Sequence, residues 1–238
     1  MDHDEFIRAI ERSFVEFIKS GKSRSTRKLA PLHGAIAKDM QGRLGPGYTI
    51  WSQGFRNNKE AAIAGRYMDK KVDISIFRNS RPVCGIAVKF VMQNYSQNSN
   101  NYFENMLGET ANIRSACCPY FQVFIIPERI PYYEKDGKFK HWESFTDNNL
   151  HKYSILDGDN PEQLFHSPNK TLIYILRMPD TGKISCKEDY RDFFMKYFAA
   201  NGECGFVGVA TPVAFFNSVI LNDYPSFAEK VFHSIKAL

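Results

Sequence analysis

The chain has 238 residues, 43% of them apolar and 24% charged, and 31 Lys plus Arg against 26 Asp plus Glu leave a formal net charge of +5. That composition excludes a disordered chain and fits one domain with a full core. No apolar run approaches the roughly 18 residues of a membrane helix, and the mild basic excess suits a polyanionic partner.

The N-terminal segment MDHDEFIRAI is acidic and amphipathic, unlike a signal peptide. Over residues 3–19, Phe6, Ile7, Ile10, Phe14, Phe17 and Ile18 form one stripe at helical spacing. The loop GKSRSTRK (21–28) follows, then a helix over about 28–42, stopped by Gly45-Pro46-Gly47. His33 is expected to be a residue of that helix. Strands are expected at YTIWSQGF, AAIAGRYM, KVDISIF and VCGIAVKFV, the last two joined by a turn at 78–82. A polar stretch, QNYSQNSNNY, precedes a helix over 101–117, with Asn100 or Asn101 as its expected cap. FQVFIIP and TLIYILRMP read as strands buried on both faces. A hairpin should turn at Asp136-Gly137, residues 144–169 should be loop-rich, and two helices (186–198 and 224–238) should close the chain. Irregular alternation of helices and buried strands predicts an α/β layer fold in a single domain. The five cysteines (84, 117, 118, 186, 204) are odd in number and form no CxxC pair, so zinc is not expected and a reducing cytoplasm is.

Two strands carry a charge where a buried strand should have none: Asp73 in VDISIF and Lys89 in GIAVKF. An unpaired buried charge is costly, so both are expected at strand ends, facing each other and a charged ligand. A magnesium ion and a phosphate would satisfy both, because Mg²⁺ takes one or two carboxylates plus phosphate oxygens. Glu60, Glu104 and Glu109 are candidates for the second carboxylate. Other chemistries lack their signatures: there is no GxxxxGK[ST] phosphate loop, no G-x-S-x-G elbow and no HExxH.

An Asp on one strand with x-x-Lys on the next, followed by an acid-bearing helix and a buried strand, resembles the PD-(D/E)XK nuclease superfamily, type II restriction endonucleases in particular. The resemblance spans roughly 26–127, leaving 128–238 as a C-terminal elaboration. It implies a restriction-endonuclease-like core: a mixed central sheet with helices on both faces. Asp73 matches the first acid, and Lys89 follows 16 residues later. Ala87 stands where the family places its second acid, and alanine cannot bind a metal. Some members carry that acid on the following helix, which points to Glu104, with Glu109 a near-equal choice because Gly108 before it could allow close approach to the sheet. By the same resemblance Glu60 binds metal or orients a water, and the Val88 carbonyl completes the metal shell.

The implied activity is Mg²⁺-dependent, site-specific hydrolysis of double-stranded DNA in the cytoplasm by a homodimer, with a cognate methyltransferase encoded nearby. Other outcomes of the same resemblance are an effector or repair nuclease with little base specificity and a catalytically inactive DNA-binding module. Lys22, Arg24, Arg27 and Lys28 read either as a phosphate-contacting arm or as a solvated loop, and Lys70 and Lys71 either as phosphate contacts or as solvated lysines. Asn94, Gln97 and Asn98, in the loop after the Lys89 strand, are candidates for base or phosphate contacts. The hairpin at Asp136-Gly137 and the segment 144–169 carry Lys138, Lys140, His141, Trp142, Asn148, Asn149, His151 and Lys152, which read either as base-reading insertions or as ordinary surface excursions.

Overall fold

The computed structural model describes residues 1–20, 26–145, 147–211 and 213–238. Lys22 and Arg24 lie outside the described residues. The fold is α/β, with a mixed seven-stranded sheet and six α-helices among the described residues.

The sheet is built outward from β6 (Tyr120–Pro127), whose eight residues are all buried. Its parallel neighbours are β5 (Arg81–Phe90) and β9 (Lys170–Arg177). Beyond β5 the sheet turns antiparallel, through β4 (Ile74–Arg78) to β1 (Thr49–Ser52). The outer edge of β9 is shared by two short strands, β10 (Val207–Gly208) antiparallel at one end and β11 (Val219–Leu221) parallel at the other. Two hairpins stand apart from this sheet: β2–β3 (Ala61–Ala64, Asp69–Val72) and β7–β8 (Arg129–Tyr133, Phe139–Ser144).

Helices cover both faces, and strand periodicity assigns side chains to each. Phe121, Val123 and Ile125 of β6 and Leu172, Tyr174 and Leu176 of β9 pack with α1 (His3–Ser20), α2 (Ala30–Leu44), α5 (Lys187–Asn201) and α6 (Tyr224–Lys236). Phe124, Ile126, Ile173 and Ile175 face the other way, onto α3 (Ser99–Arg114) and α4 (Asp147–Gly158). Along α1 the expected stripe is buried except for Ile7, which is partly exposed.

Several expectations need correction. The stretch 144–169 is not loop-rich throughout, because it contains α4. AAIAGRYM is not one strand: β2 ends at Ala64 and residues 65–68 form the turn to β3. KVDISIF is broken at Asp73, a bend between β3 and β4. A 3-10 turn (Thr26–Leu29) precedes α2. No Asn side chain caps α3; the Glu143 carboxylate on β8 instead accepts the backbone N–H groups of Tyr95 (2.6 Å) and Ser96 (3.1 Å) just before it.

One close approach fixes α2 against the loop that follows β1. A Cβ at Gly34 would lie 2.2 Å from the Gly54 carbonyl oxygen, so only glycine lets the helix sit this near. His33 is the adjacent residue, and the same loop carries Gln53, which binds Glu60. Gly34→Ala should therefore destabilise the protein by about 1–3 kcal/mol, read as a lowered midpoint in thermal or urea unfolding. An unchanged midpoint would show that the helix can move away without cost.

Candidate active site

Asp73 lies where β4 begins. The β4–β5 ladder closes at Ile74 opposite Ile86, leaving the Val88 N–H without a strand partner. The Asp73 carboxylate takes that place, accepting the Val88 N–H at 2.7 Å. The break in KVDISIF thus turns an edge hydrogen bond into a fixed, half-buried carboxylate. In a strand, a residue's C=O points to the same side as its N–H, so the Val88 carbonyl lies on the Asp73 side of β5.

Ala87 and Lys89 face α3, and with Asp73 they line a cleft of about 260 Å³. The opposite wall is α3, contributing Tyr102, Asn105, Met106 and Glu109, while Gln122 and Phe124 of β6 form the floor. The Lys89 ammonium lies 4.1 Å from the centre of the Tyr102 ring, a cation–π contact that holds the long side chain in the cleft. Glu109 reaches the cleft from mid-helix, pairs with Lys70 and accepts the Tyr120 hydroxyl at 3.4 Å. Glu104 is exposed and does not line the cleft. Of the two acids weighed on this helix, the structure thus brings Glu109 to Asp73 and Lys89. Gly108 is not the reason, since a Cβ there would meet nothing within 4 Å. Helical phase is: Glu109 lies three residues after Met106, on the same face.

On its other side Asp73 meets α2. His33, Glu60 and Asp73 each offer a ligand atom within 4.8 Å of the others, the group of potential metal ligands found among the described residues. Gln53 steers Glu60 by donating to its Oε1 at 2.8 Å. His33 is 2% exposed, and neither ring nitrogen has a hydrogen-bond partner. A buried imidazole with both nitrogens unsatisfied is unusual and calls for an explanation such as an ion. Burial brings its pKa down to about 4, so the ring is neutral at pH 7 and a lone pair is available for coordination. Sequence reading missed this role, because the partners lie 27 and 40 residues downstream and no local motif links them.

The charges in this region are mutually frustrated. Burial pushes the Asp73 carboxyl up to about 6; the Val88 N–H pulls down, Glu109 pushes up, and Lys70 and Lys89 pull down. Glu60 is raised by burial and then by Asp73. Burial lowers Lys89 despite the opposing pull of Asp73 and Glu109. Lys28 of the 3-10 turn is brought down to about 8, by burial first and by the Lys89 charge second. Acids flank Asp73 on both sides, Glu109 across the cleft and Glu60 beside His33, a donor set that could hold a cation. Asp73, Glu109 and the Val88 carbonyl supply hard oxygens on the α3 side, and Asp73, Glu60 and His33 supply two oxygens and a nitrogen on the α2 side.

The remaining expected contacts are dispersed. Lys71 and Arg27 are exposed. Asn94 lines a polar groove with Gln97, and its side chain donates to the Tyr133 carbonyl and accepts the Tyr133 N–H, both at 2.9 Å, clamping the β7–β8 hairpin. Asn98 hydrogen-bonds Tyr102. Gln97 lines a polar groove of about 450 Å³ with Gln93, Tyr132, Lys135, Lys140 and Lys187. There the Tyr132 and His141 rings stack at 4.9 Å and 7°.

Comparison with known proteins adds no relative: no family model, no curated protein and no solved structure matches this chain.

The raised Asp73 has a consequence for stability. Its folded value, about 6, exceeds its ordinary 3.8, so the unfolded chain releases the proton more readily. Stability falls as pH rises through 4–6, and the penalty, about 3 kcal/mol, is fully present above pH 6. Asp73→Asn keeps an acceptor for Val88 while removing the charge. It should raise the melting temperature of metal-free protein at pH 8 by several degrees and change it little at pH 4; equal melting of both proteins at pH 8 would show that the carboxylate is not electrostatically strained.

Proposed function

We propose that this chain is a Mg²⁺-dependent endonuclease acting on double-stranded DNA, with the acid normally placed two residues before the lysine supplied by Glu109. One observation carries the reading: Asp73, Glu109 and Lys89, from three different elements, line one cleft. The fine assignment to a restriction-endonuclease-like core rests on the strand order around that cleft, Asp73 before β4 and Lys89 in β5 with α3 crossing to a parallel β6.

Asp73, Glu109 and the Val88 carbonyl would hold the ion on the cleft side, with Glu60 and His33 available for a second ion sharing Asp73. A bound divalent cation supplies a water of lowered pKa and neutralises charge on the phosphate. Lys89, pinned on Tyr102, orients the attacking water and faces the charge that develops on the phosphoryl oxygens. Glu109 is engaged by Lys70 in the present arrangement. If Glu109 were to hold an ion, Lys70 would lose this partner and its charge would be available to a DNA phosphate. Lys28 adds a second positive charge near Lys89.

Phe90 to Asn94 lead from this site directly to the groove at the β7–β8 hairpin, so the Asn94 and Glu143 clamps fix a lysine- and glutamine-lined surface relative to the cleft. This arrangement favours base reading within the same domain, and with it a site-specific enzyme. A homodimer would match two-fold symmetric sites, and a partner methyltransferase would protect host DNA. Ala87 supports a second reading, a DNA-binding module without activity, since β5 itself carries no acid beside Lys89.

Incubation of supercoiled plasmid with protein and Mg²⁺ separates these readings. Cutting into discrete fragments, abolished by EDTA, is expected. Glu109→Gln should slow it by roughly two orders of magnitude, and Glu104→Gln should leave it near wild type. The reverse order would move the second acid to Glu104, and intact plasmid bound by the protein would favour the inactive module.

A further inference from the structure

The turn between β2 and β3 exposes apolar side chains from a backbone that is held rigidly. Tyr67 is 75% exposed and Met68 66%. All four consecutive amides of the turn are bonded. Gly65 N–H donates to the Met68 carbonyl (3.2 Å) and Arg66 N–H to the Asn112 carbonyl (2.9 Å). The Asn112 side-chain oxygen accepts Tyr67 N–H at 2.9 Å and Met68 N–H at 3.3 Å, while its amide donates back to the Met68 carbonyl at 2.9 Å. A Cβ at Gly65 would collide with the Asn112 amide at 2.1 Å, so glycine is what lets the turn close on α3.

A single buried asparagine thus locks the tip to α3. Asn112 is three residues beyond Glu109, about 4.5 Å along the helix axis. The hairpin that carries the tip also supplies Lys70, the partner of Glu109. Arg66 lies 6.0 Å from the Tyr67 ring centre, and Lys71 is exposed on the same hairpin, whose one acid is Asp69. An aromatic and a thioether side chain, rigidly presented on a cationic tip one helical turn from the proposed cutting site, match the chemistry of a wedge in a stacked polyanion.

We propose that Tyr67 and Met68 insert between adjacent base pairs of duplex DNA beside the cleft, with Arg66 and Lys71 on the flanking phosphates. The proposal rests on the nuclease reading for the position of the DNA. Rigidity is central to it: a tip ordered before binding loses no loop entropy when it unstacks a base step.

Unstacking unwinds a closed circle, which gives a readout independent of cleavage and of recognition sequence. Plasmid is relaxed by a metal-independent topoisomerase in EDTA with increasing protein, then deproteinised, and its topoisomers are resolved. Wild type should shift the distribution in proportion to protein bound. The double variant Tyr67→Ala, Met68→Ala should melt as wild type does and, compared at protein concentrations that retain the same fraction of plasmid in a gel shift, lose most of the topoisomer shift. Tyr67→Phe should retain it. Wild type that binds and cuts plasmid without shifting topoisomers would overturn the wedge and leave the nuclease reading standing. Absence of both binding and cutting would overturn both. A DNA-independent dimer that the double variant abolishes would assign the tip to self-association and overturn the wedge.

Discussion

The site depends on one half-buried carboxylate. Asp73 occupies a gap in the sheet ladder, where a side chain replaces a strand partner for Val88. That hydrogen bond fixes its position, and burial makes its charge costly. The surrounding groups do not cancel the cost. Lys70 is drawn to Glu109, Lys89 is itself lowered by burial, and Glu60 and His33 bring another acid and an unsatisfied imidazole. A hydrophobic core would not tolerate such a set without compensation. Under the proposed function, divalent cations held on the two sides of Asp73 would offset these acids and give the imidazole and the Val88 carbonyl a partner.

The fold places these groups by a few local devices. Crossover helix α3 lies over β5 and β6, so its inward face brings Tyr102 and Glu109 above Lys89 and Asp73. The Gly34–Gly54 approach carries His33 toward Glu60 from the other face. The two clamps at opposite ends of α3, Glu143 before its first turn and Asn112 near its last, attach a hairpin at each end. Ser99 and Asn112 are thirteen steps apart, about 20 Å of helix, comparable with the width of a DNA duplex. The candidate site lies between the clamps.

Much of this was legible in the sequence. Period-two and continuous apolar runs located β5, β6 and β9, and the misplaced charges marked Asp73 and Lys89 before any coordinates. What was hidden depends on long-range contact. Spacing from Lys89 favoured Glu104, but helical phase relative to Met106 turns Glu109 inward instead. The clamp made by Asn94, a candidate for base or phosphate contacts, was hidden because its partner, Tyr133, is 39 residues away. α4 escaped because its polar residues blur the helical period, although Leu150, Tyr153 and Leu156 are buried against the sheet.

The most direct test of a cation-demanding centre needs no substrate. Melting of the wild-type protein is followed at pH 8 with increasing Mg²⁺ or Mn²⁺, because a ligand that binds only the folded state raises the midpoint in a saturable way. The account predicts a saturable rise for wild type that is lost in Asp73→Asn and reduced in both Glu109→Gln and His33→Ala. A wild-type midpoint unmoved by either ion, or one raised equally in Asp73→Asn, would contradict it.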